Sequence, residues 1–188
     1  MTLRFDRILT FLKLSPSYHF IVLSDIDIDW LKSLRIKGLI LDLDNTIVSE
    51  DDRYLSPQVE VWLRQVKESG IDVFLVSNGK RQARFLAWKE HLNLSGIYDA
   101  KKPFKSGFQK ALRSMNLRPE DVIVIGDSFH TDVLGSKISK LKSIQVSSLP
   151  HPKRWWETLI GTYVQRLYPY HYPLEINKKT SYECVKSD

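Results

Sequence analysis

The stretch Gly38-Leu39-Ile40-Leu41-Asp42-Leu43-Asp44-Asn45-Thr46 decides the fold. Its first half is apolar and branched, the pattern of a strand buried on both faces. It ends in two carboxylates spaced i, i+2, followed by Asn and Thr. Residues two apart on extended backbone point the same way, so Asp42 and Asp44 share a side. Two like charges held together repel unless something positive sits between them, and oxygen ligands favour a hard cation, Mg²⁺ first. Asp-x-Asp-Asn after a strand is also good turn chemistry, so the stretch alone leaves both readings open.

Three later segments end in chemistry of the same kind. Val73-Phe74-Leu75-Val76 runs into Ser77-Asn78-Gly79, and Ile97-Tyr98 leads to Asp99-Ala100-Lys101-Lys102-Pro103. Val122-Ile123-Val124-Ile125 runs into Gly126-Asp127, with Thr131-Asp132 shortly after. Taken in order, Asp-Leu-Asp-Asn-Thr, the strand-end Ser, Lys-Pro and Gly-Asp…Thr-Asp resemble the four motifs of the haloacid dehalogenase (HAD) superfamily of phosphohydrolases. The resemblance implies that Asp42 is a nucleophile forming an aspartyl-phosphate. Asp44 then protonates the leaving oxygen and later deprotonates water. Ser77 and Asn78 bind phosphate together with Lys102, which also pairs with the nucleophile. Mg²⁺ falls to Asp42, the main-chain carbonyl of Asp44, and Asp127. Thr46 orients the first loop, and Asp132 supports the metal site or Lys102. The family pattern places its Lys directly before Pro, which selects Lys102 over Lys101. Dehalogenases of the superfamily lack the second Asp, so Asp44 points to phosphoryl chemistry. His130, inside the fourth motif, reads as a surface-loop histidine.

Helix and strand signals alternate along the chain. Helices are expected over 1–14, from Ser24 or Asp25 to Leu34, from Ser56-Pro57 to Ser69, over 80–92 and 105–115, and from Thr131. After the first strand, others are expected at 71–76, 97–98, 121–125 and 143–146. The fold class is therefore α/β, a HAD-type, Rossmann-like, doubly wound and mainly parallel sheet of five strands. Asp44, Ser77, Lys102 and Asp127 all fall just past strand ends, where such sheets bind ligands. Only 32 residues separate Asp44 from Ser77, and 24 separate Ser77 from Lys102. A loop, a helix and a strand use up each stretch, so no cap domain fits. A site without a lid suits a substrate whose bulk stays outside.

The 188 residues divide into an amphipathic helix over 1–19, a catalytic domain over 20–150 and an aromatic, basic extension over 151–188. Residues 38–136 carry 13 basic and 14 acidic side chains, whereas 137–188 carry 9 and 4, so the net charge of +6 sits in the flanks. A basic flank suggests an anionic partner. The single Cys184 excludes an internal disulfide and fits a reducing compartment. No apolar run reaches the ~20 residues that span a bilayer, and Asp6, Arg7 and Lys13 interrupt any signal-peptide core. Residues 153–167 read as a helix with Trp155, Trp156, Leu159, Ile160, Tyr163 and Leu167 on one face, suited to a membrane interface or to a sheet edge. The last residues, 177–188, read as a polar tail.

The missing cap, Ile-Lys-Gly-Leu-Ile-Leu-Asp-Leu-Asp-Asn-Thr, Lys-Lys-Pro and Gly-Asp…Thr-Asp-Val-Leu-Gly together resemble the YqeG-like branch. Its eukaryotic and plastid relatives are phosphatidylglycerophosphate phosphatases. The resemblance implies an anionic phospholipid substrate, Mg²⁺, and peripheral attachment to the inner face of a membrane, from the cytoplasm, stroma or matrix. Two alternatives stand beside it. A capless phosphatase acting on nucleic-acid ends is less favoured, and a non-catalytic scaffold is opposed by the five retained residues Asp42, Asp44, Ser77, Lys102 and Asp127.

Overall fold

The computed structural model describes residues 15–152 and 164–176. The described chain forms β1 (Tyr18–His19), α1 (Ile28–Ser33), β2 (Gly38–Leu41), β3 (Tyr54–Leu55), α2 (Val59–Glu68) and β4 (Asp72–Val76). There follow α3 (Gln82–His91), β5 (Ser95–Ile97), α4 (Lys105–Met115), β6 (Val122–Gly126), α5 (Leu134–Ile138) and β7 (Lys142–Gln145). Short strands β8 (Ser147–Ser148), β9 (Arg166–Leu167) and β10 (Glu175–Ile176) complete the order.

All of β2 is buried, because the strand alternates between two cores. Leu39 and Leu41 pack into one with Leu75, Ile123, Trp62 and Trp88. Ile40 packs into the other with Phe74, Val124 and Phe108. The neighbouring β4 and β6 split their side chains the same way, which makes the sheet doubly wound. Its order is β1-β7-β6-β2-β4-β5, and every pairing is parallel.

The sheet has six strands rather than the expected five. Tyr18 and His19 pair with Ile144 and Gln145 at one edge, ahead of residue 20, where the catalytic domain was expected to begin. Two residues are too few to show any period, so sequence pattern cannot reveal them. The cap of α1 is Asp27, whose carboxylate accepts from the Trp30 amide at 2.6 Å, rather than Ser24 or Asp25. Leu23–Asp25 is instead a separate 3₁₀ turn. The segment after β6 opens as a π turn, Phe129–Val133, before α5.

The chain makes only β3, α2 and β4 between Asp44 and Ser77, and only α3 and β5 between Ser77 and Lys102. Of the helix expected over 153–167, residues 153–163 lie outside the described ones. Arg166 and Leu167 are strand, paired in parallel with Ser147 and Ser148. Residues 175–176 add an antiparallel pairing to β3. The N-terminal helix expected over 1–14 and the tail over 177–188 also lie outside the described residues. No helix among the described residues is long and apolar enough to cross a membrane.

Candidate active site

From β2 the chain winds outward through β4 to β5, then returns to place β6 on the other flank of β2. Loops leaving neighbouring strands in opposite directions open a crevice at their carboxyl ends. A cleft of about 450 Å³ lies there, lined by Asp42, Asp44, Ser77, Asn78, Lys102 and Asp127 among others. Asn45 has φ 60°, a left-handed turn that Asn tolerates well. Its carboxamide oxygen accepts the Glu50 amide at 2.8 Å, which fixes the loop that carries Asp44.

The floor of the cleft is a buried charge cluster. Lys102 Nζ donates to Asp42 Oδ1 at 2.5 Å and to Asp132 Oδ1 at 2.7 Å. Asp42, Asp127 and Asp132 each bring a carboxylate oxygen within 4.8 Å of the others. Three negative charges against the one Lys102 charge leave two uncompensated. The ionisation equilibria reflect that surplus. Burial, opposed by Lys102 and reinforced by Asp132, Asp127 and Asp44, holds the Asp42 carboxyl well above its ordinary range. Burial and Asp132 push Asp127 up to about 6. Burial alone disfavours the Lys102 ammonium, but Asp132 and Asp42 outweigh it and raise its pKa. An all-oxygen, buried site short of two positive charges fits a hard divalent cation.

Gly126 lets this cluster close. A Cβ there would lie 2.3 Å from Asp132 Cγ, so only glycine admits the carboxylate. Thr46 links the first and fourth motifs: its hydroxyl accepts the Asp127 amide at 3.0 Å and lies 3.5 Å from Asp42 Oδ2. Asn78 holds Lys102 in place, donating to its carbonyl at 2.9 Å and accepting its amide at 2.7 Å. Both ends of the Asn78 carboxamide are thus engaged with backbone, and the residue lines the cleft. Ser77 donates to Asp44 Oδ2 at 2.7 Å.

The Asp44 carboxylate stands apart from the Asp42, Asp127 and Asp132 cluster. Its other oxygen accepts from Arg84 at 2.5 Å. Arg84 also donates to both oxygens of Asp52 at 2.9 Å and to the Ser49 carbonyl at 3.0 Å. Burial works against the guanidinium, yet Asp44 and Asp52 raise its pKa. Sequence reasoning missed Arg84. The available signal was its place one residue before Phe85 and four before Trp88, on the buried side of α3, where a cation requires partners. Trp88 completes the arrangement by donating to Asp52 at 2.9 Å. Gln165 was missed as well, and its carboxamide donates to Asp127 Oδ2 at 3.1 Å. His130 lines the cleft, with Nδ1 2.8 Å from Ser128 Oγ.

Known proteins resemble this chain in sequence and in fold. The model of haloacid dehalogenase-like hydrolases matches residues 28–138, the span that carries all four motifs. "Probable phosphatase YqeG" of Bacillus subtilis is 41% identical over 116 residues, covering 62% of this chain and 67% of that protein. "Glyceraldehyde 3-phosphate phosphatase" of Pyrococcus furiosus is 36% identical over 55 residues, 29% of this chain and 23% of that one. Among solved structures, an uncharacterized protein from Listeria monocytogenes serotype 4b superposes with a TM-score of 0.52 at 14% identity. That match covers 63% of this chain and 84% of the other, and it speaks to the fold alone. With the strand-end motifs, the parallel sheet and a match over more than half its length, this chain belongs to the haloacid dehalogenase-like hydrolase family.

Proposed function

We propose that the chain is a Mg²⁺-dependent phosphatase that removes the terminal phosphate of phosphatidylglycerophosphate at a membrane surface, leaving phosphatidylglycerol. The coarser activity, phosphomonoester hydrolysis of the HAD type, follows from the family and from its relative of 41% identity. The observation that carries it is the buried Lys102 ammonium shared by Asp42 and Asp132, with Asp127 beside them, at the floor of an open cleft.

In this reading an Asp42 oxygen attacks phosphorus, and the bond from phosphorus to the leaving alkoxide breaks. Asp44 supplies the proton to that alkoxide, giving the free glycerol hydroxyl and an acyl phosphate on Asp42. Asp44 then takes a proton from water, whose oxygen attacks phosphorus and frees Asp42 and inorganic phosphate. Lys102 compensates charge on Asp42 and on the phosphoryl oxygens, and Ser77 offers its hydroxyl to the phosphoryl group once it turns from Asp44. Asn78 and Thr46 keep Lys102 and Asp127 in register, and Asp132 anchors Lys102. Asp42 and Asp127, with the Asp44 main-chain carbonyl, are the ligands proposed for Mg²⁺, which when bound offsets phosphoryl charge.

The lipid assignment rests on the resemblance to the YqeG-like branch and on two physical features. Among the described residues no folded unit covers the cleft, so a headgroup can enter while its acyl chains remain outside. The segment beyond β9 exposes Tyr170 at 99% and Ile176 at 67%, in a part of the chain with 9 basic and 4 acidic residues. Exposed aromatic and apolar groups in a stretch, residues 137–188, whose net charge is positive suit an anionic interface and a peripheral location. Phosphate release should be compared across phosphatidylglycerophosphate in mixed micelles, a soluble sugar phosphate and a 3′-phosphorylated oligonucleotide, with Mg²⁺ and with EDTA. Selective, Mg²⁺-dependent release from the lipid is expected. Release from the oligonucleotide or sugar phosphate alone overturns the lipid assignment, and no release from any of them favours a scaffold.

A further inference from the structure

The C-terminal segment reaches the candidate metal site. Beyond the span that the family model matches, β9 runs beside β8, and Gln165, just before it, bridges to Ser128 in the loop that follows Asp127. Gln165 is 7% exposed, and its carboxamide nitrogen lies 3.1 Å from Asp127 Oδ2. From the other side, the Gln145 carboxamide donates to the Asp127 carbonyl at 2.9 Å and to the Val164 carbonyl at 3.4 Å. Asp127 is therefore held at both its carboxylate and its main chain, and the two glutamines tie that hold to residues 164–165.

We propose that Gln165 is a positioning residue for the metal site, and that the C-terminal segment completes that site by fixing the Asp127 carboxylate. The inference rests on the metal reading given above. An amide donor on Oδ2 sets the rotation of the carboxylate, one oxygen of which lies within 4.8 Å of oxygens of Asp42 and Asp132. It also neither adds negative charge nor competes as a cation. Without it, Asp127 must be ordered at the moment a cation binds, and the affinity drops by the cost of that ordering. The alternative role is packing, in which Gln165 only fills buried space.

Gln165→Met separates the two roles, because it keeps the length of the side chain and removes the donor. Gln165→Asn keeps an amide but withdraws it by one methylene. Leu167→Ala, two residues further on in β9 and 69% exposed, controls for docking of the segment. The measurement is calorimetric titration of each full-length protein with Mg²⁺, alongside the melting temperature without metal. Wild type is expected to bind. Gln165→Met and Gln165→Asn are expected to bind on the order of ten-fold more weakly, with a metal-free melting temperature like the wild type's. Leu167→Ala is expected to bind like the wild type. Unchanged affinity in Gln165→Met overturns the proposal, as does an equal loss in Leu167→Ala or a loss matched by unfolding without metal. Failure of the wild type itself to bind Mg²⁺ instead overturns the metal reading, and this inference with it.

Discussion

Arg84 donates to one oxygen of Asp44 at 2.5 Å, while Ser77 donates to the other at 2.7 Å. The carboxylate is gripped at both ends, so its direction is set before any substrate arrives. Arg84→Met removes one grip and leaves Asp44 and Asp52 without their cation. Turnover should fall by on the order of a hundredfold through misplacement of Asp44, with a smaller change in KM. Stability should fall by about 3 kcal/mol, since the guanidinium is largely buried between its partners. Arg84→Lys should not restore turnover, because an ammonium cannot serve Asp44, Asp52 and the Ser49 carbonyl from one plane. Steady-state kinetics and urea unfolding check both effects. Wild-type kcat in Arg84→Lys would contradict the positioning role.

Removing Lys102 and removing Asp42 should have opposite profiles. Lys102→Met leaves three buried carboxylates facing one another, and should cost about 3–5 kcal/mol in metal-free protein. Asp42→Asn lowers that repulsion, so it should abolish turnover with little loss of stability. Urea titrations of the two variants without metal rank them. Equal destabilisation would show that the cluster's charge balance has been misjudged.

The four strand-end motifs were legible because each joins a buried apolar run to a polar residue, and short loops place them at one edge of a parallel sheet. Asp42, Asp44, Ser77, Lys102 and Asp127 gather around the cleft for that reason. Less legible was anything set by contacts distant in sequence. Arg84 reaches across 40 positions to Asp44, and Gln165 across 38 to Asp127. Tyr18 and His19 form an edge strand too short to carry a period. Leu167 shares an apolar spacing with the aromatic run before it, so a helical pattern extends over what is strand. The clasp of the Asn78 carboxamide on the Lys102 backbone, 24 positions away, leaves no mark on the sequence either.

Metal affinity should depend on pH. Asp127 ionises near 6 in the folded chain, against an ordinary 3.8, because burial and Asp132 favour its protonated form. Without metal, the folded state holds that proton more tightly than the unfolded chain. This group's contribution to stability is therefore complete below about pH 4 and is lost as pH rises through about 6. A cation has the opposite preference, since it must displace the proton. Through Asp127 alone, apparent Mg²⁺ affinity should fall by up to about tenfold per unit below pH 6, and Asp42, whose carboxyl is also raised, steepens that fall. Calorimetric titrations at pH 5, 6 and 7.5 test this, and equal affinities at all three would contradict it.

Gly126→Ala should damage the site without touching any charge. The added methyl would meet Asp132 Cγ at 2.3 Å and drive that carboxylate away from Lys102. A loss of about 1–3 kcal/mol is expected from overpacking. Mg²⁺ binding and turnover should weaken together, as the Lys102 anchor shifts. Thermal unfolding and phosphate release measure the pair, and wild-type values for both would show that Asp132 has room to move.

The central claim is that Asp42 carries the phosphoryl group during turnover. Phosphatidylglycerophosphate labelled with ³²P in its terminal phosphate should be mixed with enzyme and Mg²⁺, and the reaction quenched in acid within one turnover. Wild type should retain label on a peptide containing Asp42, stable in acid and released by hydroxylamine, while Asp42→Asn retains none and releases no phosphate. Label on another residue, or phosphate release by Asp42→Asn at the wild-type rate, would contradict the account.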